Sequence, residues 1–218
     1  MNRLKKVAIL SMLMISSLAS ANPRIIPGAP RELTGPSLRV IEAVLQHADL
    51  LDDALRYGHV VTDVAVLQAI ESTQYLIGFG SCTIDPAFIC TTRAILTIDR
   101  GYLPGQGLFS RASVSEVDAD YRIQGALTDT TDSLIQALAH VAHESQELSR
   151  HGNRLQQAST QFISPSLSRF RVSVQACSNF DGARACLGGA TLQIDARTVR
   201  HGMLHRTTYT ARFTPHRD

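Results

Sequence analysis

The chain has 218 residues with 21 basic and 19 acidic side chains, and 44% of its residues are hydrophobic. This near-neutral balance argues against nucleic acid as a partner, because nucleic-acid binding depends on a strongly basic surface. Lys5 and Lys6 are the only lysines. Once the N-terminal segment is removed as described below, no lysine remains for a Schiff base or a phosphate-binding loop.

Residues 1–21 have the three zones of a cleavable export signal. Basic residues come first, an apolar run follows over 7–18, and an A-x-A motif ends the segment. The apolar run is well short of the roughly 20 residues that span a bilayer as a helix, so a retained anchor is the less favoured alternative. Asn22 follows the expected cleavage site, where a lipoprotein would need a cysteine. We therefore expect a bacterial protein that is periplasmic or secreted, with no integral membrane span after signal removal.

A single α+β domain is expected over 37–218, after an extended, proline-rich lead-in over 22–36. In chain order, the apolar periodicity predicts a helix over 37–57 capped by Ser37, a short strand over 59–61, a helix over 62–72, strands over 74–81 and 88–99, a loop over 101–107, a helical turn over 112–117, a strand over 120–128, a helix over 132–157, and strands over 169–177, 190–198 and 205–214. This order indicates a mainly antiparallel sheet with two to three helices on one side and a C-terminal three-stranded meander.

Four cysteines in an exported chain favour disulfides over free thiols or a metal site. Asp-Gly at 181–182 is a favoured centre for a two-residue hairpin turn. Counting outward from that turn places Cys177 opposite Cys186 at a non-hydrogen-bonded position, where the Cα separation of ~4.5 Å suits a disulfide. Cys82 and Cys90 flank a second turn signal, Asp-Pro. We predict the pairs Cys82–Cys90 and Cys177–Cys186, each a local clamp that contributes about 2.5 kcal/mol. A redox pair is the alternative, but neither spacing is C-x-x-C.

The most compact group of candidate metal ligands lies in the predicted helix over 132–157. The group consists of His140, His143, Glu144, Glu147 and His151, which fall on one face of an ideal helix. Imidazole and carboxylate groups are suitable ligands for zinc or copper. The stripe lies opposite the apolar face, however, where any soluble helix is polar, and its order does not match H-E-x-x-H. We favour a solvated helix face and keep a metal site as the alternative.

Sequence signals for catalysis are weak. The stretch 78–82 lacks the closing glycine of G-x-S-x-G, and 101–107 lacks G-x-G-x-x-G. The neighbouring acids Asp118 and Asp120 do not indicate an acid–base pair by adjacency alone. We identify no catalytic residue and no cofactor, and favour a protein that is not an enzyme. The alternative is a disulfide-stabilised periplasmic hydrolase or a metal-binding protein that uses the face of His140 and His143.

The two parts of the chain differ in charge. Residues 37–147 contain 15 acidic residues and six arginines, whereas 169–218 contain eight arginines and three acidic residues. Basic side chains concentrate around the last predicted hairpin, at Arg197, Arg200, His201, His205, Arg206 and Arg212. One interpretation is charge compensation inside the fold; the other is a cationic surface for an acidic protein or an anionic envelope polymer. Threonine-rich strands also fit a sheet edge that is open to a partner strand.

Residues 119–128, Ala-Asp-Tyr-Arg-Ile-Gln-Gly-Ala-Leu-Thr, match the pattern ADY-x-h-x-G-x-h-T, where h is apolar. This stretch resembles a strand of curli-secretion-type and TolB-amino-terminal-like envelope modules, which include lipoprotein activators of penicillin-binding proteins. The chain departs from these modules by lacking a lipidated cysteine and by inserting a long helix after the motif. The resemblance implies a partner-binding α/β module in the envelope with no catalytic residues to carry over. We therefore expect a non-enzymatic exported protein that contacts an envelope or secretion-machinery protein during assembly of the envelope or a secretion apparatus.

Overall fold

The computed structural model describes residues 28–83, 89–105, 107–118, 121, 123, 129–180, 183–201 and 204–216. The predicted signal at 1–21 and the start of the lead-in lie outside the described residues, as do the turn signals at 85–86 and 181–182. Of the predicted strand over 120–128, only Tyr121 and Ile123 are described. The described residues form nine strands and four α-helices in an α+β arrangement, which confirms the predicted fold class.

Two antiparallel sheets replace the single sheet that the sequence indicates. Sheet A has the strand order β1-β6-β7-β8-β9, and sheet B has the order β2-β3-β4-β5. The strands of sheet A are β1 (Arg31–Glu32), β6 (Arg154–Ser164), β7 (Leu167–Phe180), β8 (Ala183–His201) and β9 (Leu204–His216). The strands of sheet B are β2 (Val60–Gln68), β3 (Ser72–Thr83), β4 (Ile89–Leu103) and β5 (Gly107–Glu116). Strands β7 to β9 form the predicted C-terminal meander.

The helices pack on the inner face of each sheet. They are α1 (Gly35–Gln46), α2 (Leu51–Leu55), α3 (Asp129–His140) and α4 (Ala142–His151), with a 3-10 turn at Ala48–Leu50. Helix α3 contacts both β2 and β8, α2 contacts β3 and β4, and α4 contacts β7 to β9. One apolar core therefore joins both sheets and all four helices. No helix among the described residues combines the length and the apolar content that a membrane crossing requires.

Two predicted helical segments are strands. The predicted helix over 62–72 is wrong, because β2 pairs with β3 through Gln68. Val64 and Val66 both pack in the core, which is the two-residue period of a strand, and their β-branched side chains favour strands. The predicted helical turn over 112–117 is wrong as well. Ala112 and Val114 of β5 pack against the core, while Ser113 and Ser115 are exposed, which is the two-residue period of a strand.

The two long predicted helices are interrupted. The first begins at Gly35, and Ser37 is inside it rather than at its cap; the Ser37 hydroxyl accepts a hydrogen bond from Thr131 at 2.9 Å. The helix stops at His47, whose φ of −124° is not helical. The second predicted helix, 132–157, breaks at Val141 and ends before the extended Gly152. The residues after Gly152 form β6, a strand that the sequence pattern did not reveal.

Candidate functional site

The outer face of sheet A is polar, because side chains alternate along its strands. Phe170 and Val172 of β7 and Leu192 and Ile194 of β8 are buried against the helices. The residues between them point to the opposite face. The side chains on that face include Gln157 and Gln161 in β6, Arg169, Arg171 and Ser173 in β7, Thr191, Gln193, Asp195, Arg197 and Val199 in β8, and Arg206, Thr208, Thr210, Arg212 and Thr214 in β9. We name this surface the outer face of sheet A.

Five arginines give the outer face of sheet A a positive charge. They are Arg169, Arg171, Arg197, Arg206 and Arg212. Two acidic residues of the described strands share this face, Asp195 in β8 and Glu32 in β1, whose carboxylate accepts a hydrogen bond from Gln157. Arg169 donates to both carboxylate oxygens of Asp195, from Nε to Oδ1 at 2.7 Å and from Nη2 to Oδ2 at 3.1 Å. This hydrogen bonding lowers the pKa of Asp195, and the charge of Arg212 lowers it further. Asp195 is therefore an anion that offsets one of the five guanidinium groups.

The predicted basic hairpin supplies three of these arginines. Arg197, Arg206 and Arg212 are exposed on the outer face of sheet A. The backbone register pairs Arg200 with His205 toward the end of the hairpin, and His201 with Leu204. The sequence prediction missed Arg169 and Arg171, which join the same face from β7. Their two-residue spacing in a predicted strand was the available signal.

The free edge of sheet A adjoins this basic face. Strand β9 is the last strand of the sheet, and β8 is the one strand that pairs with it among the described residues. The β8–β9 register runs without a bulge from Gly189 opposite His216 to His201 opposite Leu204. Helix α4 packs on the inner side of β9, where the ring of His151 meets Phe213 edge-on. The edge and the basic face thus lie side by side along one strand.

The candidate metal ligands do not share one continuous helix face. His140 ends α3, and the break at Val141 changes the direction in which α4 presents His143, which is exposed. The Nε2 of His140 donates to the carbonyl oxygen of His59 at 2.9 Å. Glu147 contacts Arg150 at 3.2 Å and His151 at 3.6 Å, while Glu144 is partly exposed. Across the described part of the chain, no group of three or more His, Cys, Asp or Glu side chains is arranged to hold a metal ion.

A groove of about 630 Å³ lies where the inner face of sheet A meets the start of α3. Its volume falls in the range of small-molecule pockets. The lining combines aromatic and apolar side chains, such as Phe162 and Phe170, with hydroxyl and amide groups. Among its described lining residues, Arg31 is the only charged one, and neither histidine nor cysteine lines it. This lining offers no carboxylate, imidazole or thiol for general acid–base or thiolate chemistry.

Both predicted disulfides are confirmed. Cys82 is bonded to Cys90 between β3 and β4, and Cys177 is bonded to Cys186 between β7 and β8. Each pair is directly opposite in the strand register, and the Cα atoms of each pair are 4.0 Å apart. Ser81 therefore lies within a paired strand beside a disulfide, not on the strand-to-helix turn that a nucleophilic serine of the G-x-S-x-G type occupies.

No family model and no curated protein matches this chain.

Proposed function

We propose that this chain is a non-enzymatic exported bacterial protein that binds another protein in the cell envelope, during assembly of the envelope or of a secretion apparatus. The observation that carries the proposal is the outer face of sheet A, where five arginines outnumber two carboxylates, Asp195 in β8 and Glu32 in β1. The proposed location is the periplasm or the exterior of the cell.

The chemistry of this face suits an acidic protein surface. Arginine is enriched at protein interfaces, because its planar guanidinium binds carboxylates through two parallel hydrogen bonds. The sheet already contains one such bidentate pair, between Arg169 and Asp195. Arg197, Arg206 and Arg212 are exposed on the same face. Exposed charges of one sign also accelerate association with a partner of opposite sign.

Export is supported by features at separate places in the chain. The segment 1–21 has the composition of a cleavable signal. Two disulfides and no free cysteine among the described residues are compatible with an exported protein, since disulfides persist in oxidising compartments. The similarity of 119–128 to curli-secretion-type and TolB-amino-terminal-like modules agrees with an envelope role and forms part of the proposal.

The test is chemical cross-linking in the periplasm, followed by affinity purification of the tagged chain. We compare the wild type with Arg206→Glu/Arg212→Glu. The matched control is Arg39→Glu/Arg93→Glu, which makes the same charge change at exposed arginines of α1 and β4. We expect one reproducible partner that is retained by the control and lost by the first variant, and whose binding weakens as salt is raised. Failure to recover a partner, or equal loss in both variants, contradicts the proposal.

A further inference from the structure

We propose that the partner binds by adding an extended antiparallel strand to the β9 edge of sheet A, and that this strand carries acidic residues six positions apart. The inference rests on the proposed function and specifies how the partner is recognised. Strand addition to an exposed sheet edge is a general mode of peptide recognition, in which backbone hydrogen bonds supply affinity and alternate side chains supply specificity.

The edge is long and carries few of the features that block strand pairing. Strand β9 extends over 13 residues, Leu204–His216. Sheet edges are protected by charged side chains, above all lysine, and by prolines, bulges or covering elements. Strand β9 carries the charges of Arg206 and Arg212, which oppose pairing with a basic strand but favour an acidic one. The single proline of β9, Pro215, is next to its last residue, β9 contains no lysine, and its register with β8 has no bulge. A segment of about nine residues therefore has a continuous edge to pair with, because 206–214 contains no lysine, proline or bulge.

The hydrogen-bonding groups that face this edge follow from the hairpin. The N–H of Thr198 in β8 donates to the carbonyl oxygen of Ser166 on the β7 side, at 2.9 Å, so Thr198 and its partner Thr207 are a non-hydrogen-bonded pair of the β8–β9 ladder. Hydrogen-bonded and non-hydrogen-bonded pairs alternate along an antiparallel ladder, so the backbone groups of every second residue of β9 bond to β8. The other residues direct N–H and C=O groups to the open edge, and they are Thr207, Tyr209, Ala211 and Phe213. These are the groups to which an added strand would bind.

The side chains of β9 define the sequence of the added strand. Arg206 and Arg212 lie on the outer face and are about 20 Å apart along the strand. Directly opposite residues of two paired strands share a face, so acidic residues six positions apart would meet both arginines. Tyr209 and Ala211 turn inward against the core, which favours apolar residues at the intervening inner positions. The expected pattern is acidic, apolar, any, apolar, any, apolar, acidic.

A second copy of this chain fits the edge less well. Antiparallel pairing of two β9 strands centred on Tyr209 would place Arg206 of each copy opposite Arg212 of the other. Like charges directly opposite each other destabilise a strand pair. Pairing centred on Thr210 does not place arginines directly opposite each other. It still brings four arginines, Arg206 and Arg212 of each copy, to the outer face without adding an acidic residue. The charge pattern therefore selects an acidic strand from a different protein.

The test uses a labelled synthetic peptide, GEVTVTVEG, and fluorescence anisotropy with the purified mature chain. The pattern places both glutamates on the arginine side and the three valines on the inner side. We expect N-methylation of the valines to abolish binding, because in an antiparallel pair their N–H groups face β9. N-methylation of the threonines, whose N–H groups face away, should leave binding intact. Equal binding of the two methylated peptides overturns the inference.

Two protein variants test the same contacts from the other side. Ala211→Pro removes one edge-facing N–H and should weaken binding by about tenfold or more, whereas Ala211→Thr keeps the N–H and should bind like wild type. Should Ala211→Pro fail to fold, Arg206→Glu/Arg212→Glu keeps the inference testable. That variant should lose the glutamate peptide and gain the lysine analogue GKVTVTVKG. Failure of this charge exchange, or wild-type affinity in a folded Ala211→Pro protein, overturns the inference.

The outcomes separate this inference from the proposed function. A cellular partner that is lost by Arg206→Glu/Arg212→Glu but retained by folded Ala211→Pro would dock on the face rather than the edge; strand addition would be wrong and the proposed function would stand. Peptide binding without any cellular partner would support the edge and contradict the proposed function. A concentration-dependent dimer that Ala211→Pro abolishes would identify a second copy as the occupant and overturn the inference.

Discussion

The imidazole of His140 stacks on the phenol ring of Tyr209, with ring centroids 4.4 Å apart and planes inclined by 7°. The same imidazole donates from Nε2 to the carbonyl oxygen of His59, directly before β2. The Tyr209 hydroxyl accepts a hydrogen bond from Gln136 of α3 at 2.9 Å. Because Tyr209 belongs to β9, the end of α3 links the edge strand of sheet A to the edge strand of sheet B.

This contact predicts a loss of stability in mild acid. Burial is the main influence on His140 and lowers its pKa below the ordinary histidine value. The unfolded chain then binds more protons than the folded chain, so the free energy of unfolding falls as the pH drops below about 6.5. Burial also lowers the pKa of His47, whose Nε2 is 2.8 Å from the Ser110 hydroxyl, which adds in the same direction. We expect the melting temperature to fall between about pH 7.5 and pH 5.

The contribution of His140 is isolated by a matched pair of variants. His140→Gln removes the titrating group and should flatten the dependence of melting temperature on pH. His143→Gln makes the same substitution at an exposed histidine of α4 and should keep the wild-type dependence. An unchanged pH dependence in His140→Gln would assign the acid sensitivity to other groups.

Local patterns predicted the elements that local chemistry determines. The turn signal between Cys177 and Cys186 predicted that the two cysteines lie opposite each other. Alternating residues separated by turn signals predicted the strands of the meander. Strand β6 was missed because its start depends on a distant contact. A Cβ added to Gly152 would lie 2.7 Å from the backbone carbon of Gln175 in β7. Helix α4 ends where Gly152 packs closely against β7. This contact joins residues far apart in the sequence, so no pattern around Gly152 predicts it.

The candidate site was predicted in part for the same reason. Clustering of basic residues in the last hairpin identified Arg197, Arg206 and Arg212 without knowledge of the sheet. Arg169 and Arg171 join them through the pairing of β7 with β8, in which Arg169 lies opposite Asp195. Arg169 and Asp195 are 26 residues apart in the sequence, so no local pattern predicts their contact. Likewise, the helical face proposed for His140 and His143 assumed an unbroken helix through Val141.

The disulfides are predicted to act as independent local clamps. Replacing both Cys177 and Cys186 by serine should lower the free energy of unfolding by about 2.5 kcal/mol, since each bridge closes a short loop. For a domain of this size the melting temperature should drop by about 5–10 °C. Replacing Cys82 and Cys90 should have a similar effect, and the quadruple variant should show the sum. Urea unfolding followed by circular dichroism measures this; a loss of folding in either double variant would contradict a local role.

Gly78 is predicted to be required for the covering of sheet B. Ile123, after β5, packs on the outer side of this sheet against Ala65 and Ile95. A Cβ at Gly78 would lie 3.1 Å from Cδ1 of Ile123 and 2.6 Å from the hydroxyl of Thr62. Overpacking of this kind costs about 1–3 kcal/mol, which exceeds the gain of about 0.4–1 kcal/mol from a less flexible unfolded chain.

We therefore expect Gly78→Ala to destabilise the protein in urea unfolding. The control is Ser113→Ala in β5, an exposed position on the outer side of the same sheet, which should change the free energy of unfolding by less than about 0.5 kcal/mol. The double variant Gly78→Ala/Ile123→Ala should be destabilised by less than the sum of the two single variants, because the added methyl group at position 78 no longer clashes with Ile123. Strict additivity would show that Ile123 does not constrain Gly78.

The metal alternative leads to a prediction about purified protein. His140 uses Nε2 for the His59 carbonyl and its ring face for Tyr209, while Glu147 is engaged with Arg150 and His151. Zinc would have to compete with these contacts and gather four ligands across the break at Val141. We expect protein purified from the periplasm to contain less than one equivalent of zinc or copper by elemental analysis, and His143→Ala to leave that content unchanged. One equivalent of metal that disappears with His143→Ala would establish a metal site at α4 and contradict a solvated helix face.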